Sequence, residues 1–278
     1  MVAGHALSTI KVHLQLAGQP STVQNTREGV HLGLENYVNA YMLASVTVGK
    51  DSKPRNLIVD TSYSMTWLPN IKSRFITDLD DLNRTGFDCG QSETCDRNNI
   101  DPEDLAIYYG KGNFTGYVST DIFKFEGSQA EPVSLTFLEA TKTKEYGNIN
   151  FDGVLGLGCN TKGYANFTGM PVDMFEETIV DRMAKNGQIK NSMFSVNLDR
   201  KDGVVHKDAL IIGGWHTEIV NKLDMINWYD VSNKFSLDVE FVGVGLSEIM
   251  VNFDGIWRFT ISRARYECSI HCSAKSDC

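Results

Sequence analysis

The chain has 278 residues, 42% of them apolar, and its 35 acidic and 26 basic residues give a formal net charge of −9. This length and apolar content can bury a large core, in one all-β unit or in two domains. Nucleic acid is not an expected partner, because no basic cluster interleaved with aromatic residues occurs. No apolar run approaches the roughly 18 residues of a membrane-spanning helix, so no membrane span is predicted.

Residues 1–33 mix polar residues with one short alternating piece at residues 10–16. Polar residues occur too often in residues 1–18 for the apolar core of a signal peptide. We interpret residues 1–33 as a leader or a pro-segment-like piece, and we expect the start to be incomplete or the chain to be exported by another route.

Residues 57–69 carry the strongest chemical signal. An apolar, β-branched run ends in the carboxylate of Asp60, Thr61 and Ser62 follow, and a second apolar run ends at Pro69. The pattern predicts a strand, a loop with functional side chains and another strand. An Asp-Thr-Ser triplet also occurs in ordinary turns, so its meaning depends on the rest of the chain.

Cysteines and glycosylation sequons indicate an oxidising secretory compartment. The chain has six cysteines and three Asn-x-Ser/Thr sequons, and the sequons begin at Asn83, Asn113 and Asn166. Cys89 and Cys95 are close enough in sequence for a small-loop disulfide. A zinc site would need two more ligands nearby, which are missing, so the disulfide is favoured.

Two stretches of the middle of the chain have clear β patterns. Within residues 105–123, two alternating runs meet at a Gly-Lys-Gly turn, which predicts a hairpin. Residues 151–158 form an apolar run punctuated by glycines. Its Asp152 belongs to an Asp-Gly pair, which is typical of a turn, so we interpret this carboxylate as structural.

A helix and two more strands are predicted after these. Apolar residues recur at helical spacing from Val172 to Met183, after Pro171 and before Asn186-Gly187, which predicts a short amphipathic helix. Residues 193–198 and 209–214 have the pattern of strands.

Four ordered motifs in residues 34–248 resemble those of the pepsin-like aspartic proteases. These motifs are the opening segment from residue 34, the Asp60 loop, a flap at residues 105–123 in which Tyr109 matches the family's tyrosine, and residues 151–157, which are close to the family's Phe-Asp-Gly-Ile-Leu-Gly-Leu. The family's loop pattern is Asp-Thr-Gly-Ser-Ser-x-x-Trp-apolar-Pro, and five positions match it: Asp60, Thr61, Ser64, Trp67 and Pro69. Ser62 stands where the family has Gly, and Tyr63 stands where it has Ser.

The resemblance implies a mechanism and a role for each matching residue. In this family two carboxylates share a proton, so that one acts as a base toward a water while the other polarises the scissile carbonyl. The implied roles are the acid/base for Asp60, support of its loop for Thr61 and Ser62, the flap for Tyr109 and Gly110, and the flap's partner for Trp67. No metal or organic cofactor is implied, because the two carboxylates and a water suffice.

The resemblance also implies the architecture. It predicts an all-β fold with few short helices, of the pepsin-like acid protease type, with one complete lobe and a truncated second lobe. The expected units are the leader at residues 1–33, an N-terminal lobe at residues 34–213 and a partial C-terminal lobe at residues 214–278.

The likeness ends near residue 249, and the chain has no second Asp-Thr-Gly. Asp254, which precedes Gly255, is a candidate for a degenerate second acid. The tail contains three cysteines and a histidine. The tail is interpreted as a metal knuckle, as a set of disulfide-bonded cysteines, or as the product of a truncated or misjoined reading frame. The pairing stays open for four cysteines: Cys159, Cys268, Cys272 and Cys278.

Three interpretations of function follow. The first is an aspartic endopeptidase that cleaves peptides or proteins under acidic conditions, in a sequence cut or misjoined before its second acid. The second is a protease-like protein that binds peptides or proteins through a retained cleft and flap without catalysis. The third is a homodimer in which each chain supplies Asp60, although the residual second lobe argues for a monomer. The expected location is secreted or an endomembrane, lysosome-like compartment.

Overall fold

The computed structural model describes residues 10–12, 29–37, 41–50, 53–73, 86–99, 106–109, 112–143, 151–158, 175, 177–197, 209–215 and 242–244. The strands within these residues are β1 (Ile10–Val12), β2 (Val30–Tyr37), β3 (Tyr41–Val48), β4 (Arg55–Asp60), β5 (Trp67–Pro69), β6 (Asp96–Arg97), β7 (Ala106–Tyr109), β8 (Gly112–Phe125), β9 (Val133–Thr143), β10 (Val154–Gly156), β11 (Phe194–Asn197), β12 (Ala209–Ile212) and β13 (Val242–Val244). The described part also contains one α-helix, α1 (Ile179–Lys185), and a 3-10 turn at Cys89–Gln91. The predicted all-β class with few short helices is confirmed.

One large sheet organises the described residues. Its strands follow the order β11-β12-β2-β3-β4-β10-β5-β9-β8-β6, and β7 pairs with β8 as the predicted hairpin. An additional pairing of β3 with β8 closes six strands into a ring, in the order β3-β4-β10-β5-β9-β8. A ring of paired strands leaves few free edges and encloses a core. Strands β1 and β13 form a separate antiparallel pair.

Alternation along the central strands divides the core into two clusters. Leu57 belongs to a large cluster with Leu155 and Phe137, while the next residue, Ile58, belongs to a second cluster with Trp67. Successive side chains of a strand point to opposite faces. Both faces of β4 are therefore buried, and Asp60 falls on the same face as Ile58, toward the second cluster.

The second cluster also contains residues of the hairpin strand β8. Phe114 and Val118 of β8 are buried in it, together with Leu138 of β9. The hairpin base is therefore anchored on the same face of the sheet that carries Asp60.

The helix begins later than the sequence pattern predicts. Thr178 has an extended backbone and caps α1, and its hydroxyl accepts a hydrogen bond from the amide of Asp181, whose carboxylate accepts one from the amide of Thr178. This capping box fixes the first turn at Ile179. The predicted helix over residues 172–186 is thus wrong at its start in the part that the structure describes, because the local hydrogen bonds of Thr178 and Asp181 outweigh the apolar spacing.

The predicted strands at residues 193–198 and 209–214 are present as β11 and β12, which pair antiparallel. β12 also pairs with β2, which begins at Val30. The division at residues 33 and 213 stays a prediction, and most of residues 214–278 lie outside the described residues.

Candidate active site

Asp60 is the last residue of β4 and stands beside β10. The two strands run parallel, with Gly156 opposite Asp60 in the register. The apolar residues before Asp60 bury the strand, while Asp60 itself is half-buried. The predicted strand at residues 151–158 therefore lies directly beside the acidic loop.

Backbone hydrogen bonds hold the loop that follows Asp60. The amide of Ser62 donates to Oδ1 of Asp60 at 2.7 Å, so the residue that departs from the family's Gly still supplies an N–H to the carboxylate. The amide of Leu157 donates to the carbonyl of Asp60 at 2.8 Å, and that of Gly158 donates to the carbonyl of Tyr63 at 2.9 Å. Thr61 and Tyr63 are half-buried, and Tyr63 packs against the second core cluster.

Glycines allow the loop and β10 to approach closely. A Cβ at Gly156 would lie 2.5 Å from the carbonyl oxygen of Ser64, and one at Gly158 would lie 2.7 Å from the backbone of Tyr63. Neither separation is possible for a real side chain without a backbone shift. The glycines that punctuate residues 151–158 are thus required by contact with the Asp60 loop.

Two buried hydroxyls, which the sequence analysis does not assign, anchor the second half of the loop. The hydroxyl of Ser64 donates to the carbonyl of Phe175 at 3.0 Å. The hydroxyl of Thr66 accepts from the amide of Gly156 at 3.1 Å. Thr66 occupies one of the two unspecified positions of the family pattern, so the pattern holds no signal for it.

Trp67 joins the loop to the hairpin through aromatic packing. It is fully buried, and its ring centroid lies 4.7 Å from that of Phe114 in β8 and 6.3 Å from that of Phe151. Tilted aromatic pairs at these distances are favourable. The predicted flap residue Tyr109 ends β7 and is opposite Gly112 in the hairpin register. The side chain of Tyr109 and all of Gly110 lie outside the described residues.

The disulfide between Cys89 and Cys95 is present. It closes a loop that borders a buried ionic network, which the sequence analysis does not predict. The fully buried carboxylate of Glu139 accepts from the guanidinium of Arg97 at 2.6 and 2.7 Å, from the hydroxyl of Ser119 at 2.9 Å and from the amide of Cys89 at 3.4 Å. A charge on the apolar face of β9, two residues after Phe137, is the signal that could have revealed this network.

The remaining predicted residues have these placements. Asn113 lies in β8 opposite Tyr108, with its side chain outside the described part. Asn83, Asn166 and Asp254 lie outside the described residues. Within the described ranges, no group of three or more His, Cys, Asp or Glu side chains could hold a metal ion. No helix among those residues is long and apolar enough to cross a membrane.

Comparisons with known proteins agree with this arrangement. The family described as eukaryotic aspartyl protease matches residues 40–259. Vacuolar aspartic protease of Candida albicans is 27% identical over 217 residues, which is 77% of this chain and 48% of that protein. Pepsin II-2/3 of Oryctolagus cuniculus is 25% identical over 259 residues, 88% of this chain and 54% of that protein.

Cathepsin D of Clupea harengus is 27% identical over 183 residues, 65% of this chain and 42% of that protein. The chain spans about half the length of the curated relatives it matches. The family match covers most of the chain and includes the Asp60 loop, the hairpin and β10. The chain therefore belongs to the eukaryotic aspartyl protease family.

Proposed function

We propose that the chain is an aspartic-type endopeptidase, in which Asp60 activates a water that hydrolyses a peptide bond under acidic conditions. The observation that carries this proposal is the carboxylate of Asp60, half-buried at the end of β4 and bonded at Oδ1 by the amide of Ser62. This backbone N–H fixes the direction of the carboxylate, as a catalytic acid or base requires. The relatives named above are aspartic proteases, which supports the same reaction here.

The mechanism requires a second carboxylate close to Asp60. Two carboxylates that share a proton supply the base and the acid of the reaction, whereas one carboxylate alone supplies only one of them. Asp254 is our candidate for the second group, and Asp60 of another copy of the chain is the alternative. Substrates are peptides or unfolded proteins that extend under the hairpin formed by β7 and β8.

A second candidate is a protease-like protein that binds peptides without cleaving them. The observation that favours it is the pair of departures in the loop, Ser62 and Tyr63, of which Tyr63 packs against the second core cluster. These residues belong to the half of the site that the family pattern covers in this chain. The hairpin and loop would then form a binding cleft.

The disulfide and the vacuolar location in the names of some relatives support a secreted or endomembrane compartment. A vacuolar or lysosome-like compartment would provide the acidic conditions that the first candidate needs.

One assay separates the two candidates. The purified chain is incubated with an unfolded protein from about pH 3 to about pH 7, with and without a pepstatin-type inhibitor. The endopeptidase proposal predicts cleavage that rises toward acid pH and stops with the inhibitor. A folded chain that cleaves nothing at any pH, but retains a labelled peptide on a column, would contradict the endopeptidase and support the binding protein.

A further inference from the structure

Thr66 lies next to Trp67 at the base of the Asp60 loop. Only 2% of its surface is exposed. A hydroxyl at such a site needs hydrogen-bond partners, because burial without them costs free energy. Its contacts therefore show what the residue does.

Thr66 bonds to strands on both sides of β5. Its hydroxyl oxygen accepts from the amide of Gly156 in β10 at 3.1 Å, and its carbonyl accepts from the amide of Leu138 in β9 at 3.0 Å. In the sheet, β5 lies between β10 and β9. Thr66 thus extends the pairing of all three strands by one residue beyond the start of β5.

The bond to Gly156 reaches the acidic residue directly. Gly156 is opposite Asp60 in the register, and the amide of the next residue, Leu157, donates to the carbonyl of Asp60 at 2.8 Å. Because residue 156 has no side chain, its position depends on its backbone bonds and on the close contact with Ser64. In one of these bonds, the amide of Gly156 donates to the hydroxyl of the Thr66 side chain.

We propose that Thr66 is a positioning residue for Asp60, because its hydroxyl fixes the Gly156 backbone against which the Asp60 loop is held. The proposal rests on the proposed endopeptidase function and deepens it. Its effect passes through Gly156 and Leu157, so Thr66 itself touches neither the substrate nor the water.

Amide hydrogen exchange tests this without any enzymatic activity. Thr66→Val keeps the shape of the side chain and removes the acceptor, whereas Thr66→Ser keeps the acceptor. We expect the amides of Gly156 and Leu157 to exchange about 10- to 100-fold faster in T66V and to stay near the parent rates in T66S. The amide of Leu138 serves as the internal reference, because its acceptor is the backbone carbonyl of residue 66.

Thr120→Val is the matched control for a lost hydroxyl in the same sheet. The Thr120 hydroxyl contacts that of Thr136 at 2.9 Å, between β8 and β9. T120V should leave the exchange of Gly156 and Leu157 unchanged relative to Leu138. Unchanged rates at Gly156 or Leu157 in T66V, or an equal increase at Leu138, would overturn the proposal.

Kinetics supply the second arm of the experiment. In T66V we expect kcat to fall about 10- to 100-fold with KM within about 2-fold, and T66S to restore kcat, because a displaced catalytic group loses transition-state rather than ground-state interactions. A T66V chain with fast exchange at Gly156 and the parent kcat would overturn the positioning role. A parent chain that cleaves nothing would instead refute the proposed function, and the exchange rates would still decide whether Thr66 holds the backbone beside Asp60.

Discussion

At the scale of single residues, the surroundings of Asp60 depend on the absence of side chains. Gly156 faces the backbone of Ser64 so closely that a Cβ would lie 2.5 Å from its carbonyl oxygen. Real Cβ atoms cannot sit at this distance, so any larger residue must displace β10 or the loop. The sequence shows that glycines interrupt the apolar run at residues 151–158. The structure shows why: a side chain at these positions would collide with the Asp60 loop.

Gly156→Ala should therefore lower the free energy of unfolding by about 3 kcal/mol, as overpacking in a closed core does. Urea denaturation monitored by tryptophan fluorescence measures the change. Gly33→Ala is the matched control, since among the described residues, its chain neighbours aside, no atom lies within 4 Å of its Cβ position in β2, and its effect should stay below about 0.5 kcal/mol. Equal midpoints for the two variants would refute the close contact.

At the scale of elements, the hydrogen bonds of the Glu139 carboxylate, here called the Glu139 network, join the disulfide loop and β6 to strands β8 and β9. Glu139 of β9 is paired with Leu68 of β5, and Arg97 of β6 lies over the ring of Tyr117 in β8 at 4.2 Å. The guanidinium, the amide of Cys89 and the hydroxyl of Ser119 all donate to one buried carboxylate. Loss of this carboxylate would leave the three donors without their common acceptor.

Glu139→Gln should lower the free energy of unfolding by about 3 kcal/mol, because the amide nitrogen would face donors that now meet an anionic oxygen. The control is Glu93→Gln, whose partner Lys50 is exposed with it, and its effect should stay below about 0.5 kcal/mol. Chemical denaturation of both variants gives the comparison. A Glu139→Gln variant as stable as Glu93→Gln would show that the network contributes little.

The strands and the helix differ in how well the sequence predicts their positions. The hairpin and β10 were predictable, because alternation and glycine positions are local properties that the ring of strands preserves. The start of α1 is predicted wrongly from the apolar spacing, which continues from Val172 past Thr178, although Thr178 and Asp181 have the spacing of a capping box and are a local signal for this start. The Glu139 network combines residues 97, 119 and 139, and no local pattern reports which distant groups meet.

At the scale of the whole molecule, the closed ring of six strands brings together segments that are far apart in the sequence and that carry the family resemblance. The ring brings the Asp60 loop, β10 and the hairpin base onto one face, with Trp67 and Phe114 packed beneath them. Ser64 matches the family's loop pattern, but its bond to Phe175 and the bonds of Thr66 to β9 and β10 arise only in the assembled fold, so the sequence does not predict them. The resemblance thus predicts the order of the Asp60 loop, the hairpin and β10 along the chain. The hydrogen bonds between these segments are visible only in the assembled sheet.

We propose that Asp60 is the catalytic carboxylate of this chain. The most direct test compares kcat/KM of Asp60→Asn with that of Asp152→Asn, because Asp152 is a buried carboxylate that accepts from the amide of Asn56 at 2.8 Å and has a structural role. We predict that kcat/KM falls at least about 1,000-fold in D60N with an unchanged unfolding midpoint, and that kcat/KM of folded D152N stays within about 3-fold of the parent. A D60N chain that cleaves as fast as the parent would contradict the claim.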